Sequence, residues 1–172
     1  MQRILIIGSG GAGKTTLART LGGILDISVI HLDALFWKPG WIESTSAEWT
    51  EALRSVMGSA RWIMDGNYGR TLAERLERCD TVIFLDIPRI LCLWRVIKRW
   101  IRYHGRSRPD MAAGCSEKID LEFVQWIWSF PRRSRPAIMA LLDEHRPTRN
   151  VLHLGSVKEV RRFLEELRAP LA

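Results

Sequence analysis

Ile4-Leu5-Ile6-Ile7-Gly8-Ser9-Gly10-Gly11-Ala12-Gly13-Lys14-Thr15-Thr16 decides how the rest of this chain is read. The four aliphatic residues form a short strand buried on both faces, running straight into Gly8. Gly8 to Thr15 fits G-x-x-x-x-G-K-[ST], a spacing that cradles polyphosphate. Gly8, Gly10, Gly11 and Gly13, with the small Ala12, let backbone N–H groups close around phosphate oxygens where larger side chains would obstruct them. Lys14 reaches the β and γ oxygens, and the Thr15 hydroxyl, with Thr16 behind it, is placed for Mg²⁺. Leu17, Leu21 and Leu25 then recur at a helical period. A helix starting here adds the positive end of its dipole to the anion site. Strand, loop and helix in this order imply a nucleoside triphosphate site.

Composition bounds the remainder. A chain of 172 residues, 47% hydrophobic and 26% charged, suits one soluble domain over residues 1–172. No run of about 18 apolar residues occurs, and Met1-Gln2-Arg3 leads directly into a strand, so neither a membrane span nor a targeting segment is expected. Cys79, Cys92 and Cys115 are odd in number and lack C-x-x-C spacing, which fits ordinary thiols in a reducing cytoplasm. Residues 1–88 carry nine Lys/Arg against ten Asp/Glu, whereas residues 89–172 carry 17 against nine. Seven basic residues and no acidic one lie between Arg89 and Arg108. A field of that sign draws polyanions, nucleotides and nucleic acids alike.

Further strands are expected at Ile27–Leu32, Arg61–Met64, Thr81–Leu85 and Val151–Leu154. Helices are expected from the capping boxes Thr45-x-x-Glu48, Thr71-x-x-Glu74 and Ser156-x-x-Glu159, and from Pro88 to about Tyr103. Ala34–Ser44 reads as an aromatic flap, Gly105–Ser116 as a mobile loop, and Pro131 as the break between helices near 120–129 and 135–145. Alternating strands and helices predict an α/β domain with a parallel sheet covered on both faces. Ligands then sit beyond the carboxyl ends of the strands, where Gly8, Asp33, Asp65 and Asp86 all fall.

Asp65, ending an apolar strand before a glycine, suits a carboxylate holding Mg²⁺ directly or through water. Asp33 is placed to orient an acceptor hydroxyl, act as base or assist the metal. Asp86 reads as a structural cap for the helix that Pro88 opens. Arg70 is a candidate for the anionic part of an acceptor. Arg95 and Arg99, four apart, share a helical face. Arg106, Arg108, Arg132, Arg133 and Arg135 sit on or beside the candidate lid, with Arg132 and Arg135 assigned to the acceptor side. Trp37 and Trp41 are placed to stack a planar or sugar-like acceptor. The four histidines show no metal-ligand spacing and receive no role.

With these residues in place, the chain resembles the adenylate-kinase-like group of P-loop kinases over nearly its whole length. Asp65-Gly66-Asn67-Tyr68-Gly69-Arg70-Thr71 is similar to that group's D-G-F-P-R-T segment, with one extra residue before the arginine. The resemblance implies Asp65 for Mg²⁺ and Arg70 for an acceptor phosphate. It also implies Arg95 and Arg99 for the nucleotide and a segment around Gly155 lying along the adenine. A three-layer P-loop NTPase sandwich follows, with a five-stranded sheet in the order 2-3-1-4-5 and a helical or loop lid over about residues 100–135. A closer likeness is to the DNA topology modulation proteins, a branch of the same group. It rests on His31–Trp41, Met64–Thr71, Gly105–Cys115 and Phe130–Pro136.

The sequence thus leads to an ATP- and Mg²⁺-dependent kinase-like protein acting on an unidentified small acceptor, with Lys14, Asp33, Asp65, Arg95 and Arg99 at the chemistry. The alternative is a nucleic-acid-associated ATPase affecting DNA topology, motivated by the basic half. The kinase is favoured because a lid needs clustered arginines in any case, and because no helix-turn-helix or zinc-finger pattern offers a DNA reader.

Overall fold

The computed structural model describes residues 1–169. In chain order the elements are β1 (Arg3–Gly8), α1 (Lys14–Leu25), β2 (Val29–His31), α2 (Leu32–Phe36), β3 (Trp37–Lys38) and β4 (Ile42–Glu43). They continue as α3 (Ser46–Met57), β5 (Trp62–Asp65), α4 (Leu72–Arg78), β6 (Thr81–Leu85), α5 (Arg89–Tyr103), α6 (Leu121–Arg133), α7 (Arg135–His145), β7 (Asn150–Leu154) and α8 (Val157–Arg168). Five strands pair in parallel in the order β2-β5-β1-β6-β7, while β3 and β4 form a separate antiparallel hairpin. Counting only the strands of the main sheet, this is the expected 2-3-1-4-5 arrangement.

Ile4, Leu5, Ile6 and Ile7 are each 0% exposed, because the central strand has helices above and below. Side chains alternate between faces along a strand, and two cores result. Leu5, Ile7, Trp62, Met64, Val82 and Phe84 pack with Trp49 and Leu53 of α3, Leu76 of α4 and Leu142 of α7. Ile4, Ile6, Ile63, Ile83 and Leu85 pack with Leu17 and Leu21 of α1, Cys92 and Val96 of α5, and the apolar side of α8. Burial of one such side chain is worth roughly 1.5–3 kcal/mol.

Parity along β5 sets the site. Trp62 and Met64 belong to one core and Ile63 to the other, so Asp65 points with Ile63 toward the α1 face. His31 lies opposite Asp65 in the β2–β5 register.

Several local expectations are revised. The second strand stops at His31, because Leu32 turns into α2 and packs its side chain over Gly66, where a Cβ would lie 2.9 Å from the Leu32 Cβ. Asp33 therefore sits in the first turn of a helix. The Thr45–Glu48 capping box forms with both reciprocal bonds. Thr71 instead turns its hydroxyl to the Tyr68 carbonyl, 3.2 Å away, and caps nothing. Ser156 accepts from the Glu159 amide, while the Glu159 carboxylate takes the Gly155 amide. Pro131 lies inside α6, where packing of Phe130 against Trp126 and the core keeps the chain helical through it. Asp86 does not cap α5; its Oδ2 accepts from Arg135 Nε at 2.7 Å and lies 2.9 Å from His153 Nε2, tying α7 and β7 to the end of β6. All three cysteines are buried thiols. Among the described residues no helix is long and apolar enough to cross a membrane.

Candidate active site

Gly8 to Gly13 leaves the end of β1 as a tight arch and hands over to α1 at Lys14. Gly11 has φ +76°, and a Cβ there would stand 2.2 Å from the Cys92 carbonyl oxygen. Only glycine lets the loop lie this close to α5. Asn67 fixes the loop's base like a second strand: its Oδ1 accepts from the Gly8 amide at 2.9 Å and its Nδ2 donates to the Gly8 carbonyl at 2.8 Å. Lys14 folds back, Nζ donating to the carbonyls of Gly8 and Ser9 at 3.0 Å each. Burial lowers its pKa, against the pull of Asp33 and Asp65.

Thr15 Oγ1 donates to Asp65 Oδ2 at 2.7 Å, and the other carboxylate oxygen lies 2.6 Å from His31 Nδ1. The register that sets His31 beside Asp65 thus orients the carboxylate toward α1. Arg95 lies under the loop, its Nη1 donating to the Gly11 and Ala12 carbonyls at 3.4 and 3.1 Å.

Residues 104–117 fold over this floor, held by bridges between His104 and Glu117 and between Ser107 and Ser116, with Met111 and Cys115 buried. The stretch read as a mobile loop lies as a cover over the site, tied to the β3–β4 hairpin by the Gly40 amide donating to the Gly114 carbonyl and the Cys115 thiol donating to the Lys38 carbonyl. It brings Asp110 Oδ2 to 3.5 Å from Thr15 Oγ1. Arg99 Nε donates to Glu117 Oε1 at 2.7 Å, and Arg108 pairs with Asp110 at 2.8 Å and with Glu117 at 2.6 Å. Arg19 lies 3.8 Å from Asp110. Burial, then the neighbouring Arg108, lowers the Arg99 pKa.

A cavity of about 950 Å³ joins these groups to Asp33, Trp37, Trp41 and Tyr68. The Tyr68 hydroxyl donates to Asp33 Oδ1 at 2.7 Å, and its pKa is raised by burial and then by that carboxylate. Gly10, Gly11, Ala12, Gly13, Lys14, Thr15, Thr16, Asp33, Trp37, Asp65, Arg95 and Arg99 line the cavity, as do the unforeseen Asn67, Tyr68, Asp110 and Glu117. Five expected residues do not. Gly8 is held at the base of the loop by Asn67. Arg70 is exposed beyond the cavity wall, Arg132 is exposed on α6, Arg135 is committed to Asp86, and the Gly155 amide is taken by Glu159.

Comparison with solved structures places this architecture. Shikimate kinase from Acinetobacter baumannii, in complex with shikimate, superposes with a TM-score of 0.57 at 16% identity, over 97% of this chain and 90% of that one. Shikimate kinase from Bacteroides thetaiotaomicron gives 0.51 at 18% identity over 97% and 96%. A protein from Chloroflexus aurantiacus described as a kinase gives 0.53 at 17% identity over the full length of both. The fold is that of the P-loop kinases. No family model matches the chain and no curated protein matches it. The likeness to DNA topology modulation proteins therefore rests on the four quoted strings alone.

The residues missed by sequence reasoning in this P-loop kinase fold are of two kinds. Asn67 follows Asp65-Gly66 directly, and its nearness to a strand end was a usable signal. Asp110 and Glu117 offered none, since they approach the loop only through long-range folding. Arg75 of α4, also missed, is 0% exposed and donates to the nearby carbonyls of Gly66, Asn67, Tyr68 and Thr71, a local set of contacts that carries no motif.

Proposed function

We propose that the protein transfers the γ-phosphoryl group of ATP to a hydroxyl of a small-molecule acceptor. One observation carries this reading: a single cavity joins the phosphate loop, the Thr15–Asp65 pair and the Asp33 carboxylate. In the transfer, the acceptor oxygen forms a new bond to the γ phosphorus while the bond to the β–γ bridging oxygen breaks and ADP leaves. The acceptor's proton passes to Asp33, whose Oδ1 is held by Tyr68. Loop amides and the α1 N-terminus hold the β and γ oxygens, and Lys14 exchanges loop carbonyls for phosphate oxygens.

Mg²⁺ suits the residues present. Thr15 Oγ1 and Asp65 Oδ2 are oxygen donors 2.7 Å apart. Among the described residues no group of three His, Cys, Asp or Glu side chains forms a metal cage, and Mg²⁺ bound through one or two protein ligands plus phosphates needs none. Thr15 and Asp65 would hold the ion, which when bound neutralises charge on the phosphates.

The test is a coupled ADP-release assay across nucleosides, nucleotides, sugars and small acids, with phosphorylated product confirmed by ³¹P NMR. Acceptor-dependent ADP formation, lost in Asp33→Asn, is expected. ADP formation at the same slow rate with every acceptor would refute the reading.

A further inference from the structure

Six of the eight large apolar side chains that stand exposed among the described residues belong to two neighbouring helices. Ile90, Trp94, Ile97 and Ile101 lie on α5 and Leu121 and Trp128 on α6, each between 49% and 71% exposed. The spacing i, i+4, i+7, i+11 draws the first four into one stripe about 16 Å long. Leu121 and Trp128, seven apart, share a face of α6 in the same way. The two helices pack side by side and turn Cys92, Val96 and Ile127 to one core, so their opposite sides face outward together. Arg89 joins the stripes: its Nη1 donates to the Trp128 carbonyl at 3.2 Å, and its guanidinium carbon lies 3.9 Å from the Trp128 ring centroid.

The apolar face is bordered by cations alone. Helical spacing puts Arg89 along one side of the α5 stripe and the exposed Lys98 and Arg102 along the other. Lys98 Nζ stands 4.4 Å from the Trp94 ring centroid. On α6 the exposed Arg132, one turn beyond Trp128, continues the border. Helix α5 has no acidic residue, and Glu122, the acid of α6, lines the cavity instead. The site contacts of α5 run through Arg95 and Arg99 on its other side, so the mechanism leaves this face unused.

We infer that the outer face of α5 and α6 docks on an anionic phospholipid surface. The aliphatic side chains enter the boundary between headgroups and acyl chains, and Trp94 and Trp128 sit at headgroup level. Arg89, Lys98, Arg102 and Arg132 reach the lipid phosphates while their stems stay on apolar surface. A nucleic-acid strand would meet four aliphatic side chains that offer no flat face for a base. A second copy of the chain, pairing this face with itself, would set these cations against one another with no carboxylate between them. The inference stands independently of the kinase reading.

The experiment mixes the full chain with vesicles of phosphatidylcholine alone, or of equal parts phosphatidylcholine and phosphatidylglycerol, and measures co-sedimentation. Partitioning to the anionic vesicles should be at least about tenfold stronger and should weaken between about 0.05 and 0.5 M salt, as the screening length shortens. Lipids brominated on the acyl chains should quench tryptophan emission. The paired change Ile97→Glu and Ile101→Glu should cost about tenfold or more in partitioning, and so should Lys98→Glu with Arg102→Glu. Both variants should keep ATP affinity within about twofold, as surface changes away from the cavity. Absence of binding to the anionic vesicles overturns the inference, as does equal binding to the neutral ones or undiminished binding by both variants. A dimer, or oligonucleotide binding, that is lost in the Ile97→Glu, Ile101→Glu variant while vesicles stay unbound overturns it in favour of that partner.

Discussion

Arg75→Met isolates what holds the segment after β5. The Arg75 guanidinium is fully buried and donates to four carbonyls, those of Gly66, Asn67, Tyr68 and Thr71. Burial brings its pKa down to about 10, yet it stays charged at neutral pH. Charged hydrogen bonds contribute about 1.5–3 kcal/mol each. Four of them, less several kcal/mol for desolvating one cation, leave a net loss of about 3–5 kcal/mol on replacement. In a chain of this length that shifts Tm by roughly 10–15 °C. Urea unfolding and calorimetry measure both quantities, with the exposed Arg78→Met as a control expected within about 0.5 kcal/mol of wild type. The carbonyls released belong to the stretch that aims Asn67 at Gly8 and Tyr68 at Asp33, so ATP affinity should fall further than unfolding explains at temperatures where the variant stays folded. A loss below about 1 kcal/mol would show the four carbonyls satisfied without the guanidinium, and the reasoning would fail.

Other outcomes follow from the same contacts. Asn67→Ala removes both bonds to Gly8 and should weaken ATP binding by about tenfold, at about 1.4 kcal/mol per decade; calorimetric affinity equal to wild type would count against the amide clamp. Lys14→Ala should lower ATP affinity by roughly 100-fold or more while Tm changes little, since its ammonium bonds only loop carbonyls that can turn to water or ligand. An unchanged Kd would remove the loop from the site. Hydrogen bonds from Lys38, then from Thr45, hold the Glu48 carboxyl at about 2, below its ordinary 4.5. Its tie between the β3–β4 hairpin and α3 is fully present above about pH 4.5 and lost as pH falls toward 2. The Tm difference between wild type and Glu48→Gln should therefore shrink over that window, and a pH-independent difference would contradict it.

What the sequence disclosed and what it hid divide by range. The loop, the strand before it and the carboxylate at the end of β5 are local patterns, and chain alternation was enough to place them at one sheet edge. Arg70 and Gly155 were assigned by resemblance and Arg132 and Arg135 by their place beside the candidate lid; Arg135 goes to Asp86 and the Gly155 amide to Glu159, while Arg70 and Arg132 are exposed. The basic half drew attention to arginines and hid their partners. Asp110 and Glu117 neutralise Arg99 and Arg108 inside the cover, so the charge count overstated the free positive surface at this site. His31 carried no motif signal because its role comes from register, which local periodicity does not state. Pro131 misled because a break in propensity was outweighed by burial of Phe130.

That register has a consequence for how the site tolerates change. Asp65 is hydrogen-bond-ladder neighbour to Ile6 on one side and His31 on the other. Its distance from Thr15 is therefore a measurement made by the sheet. Slipping β5 by one residue would turn every side chain to the opposite face, presenting Met64 or Gly66 where the carboxylate now stands. Trp62 and Ile63 never approach the cavity, yet their packing prevents the slip. In this chain the core works as the gauge block of the site, and alterations deep in the sheet should appear first as lost precision at Asp65.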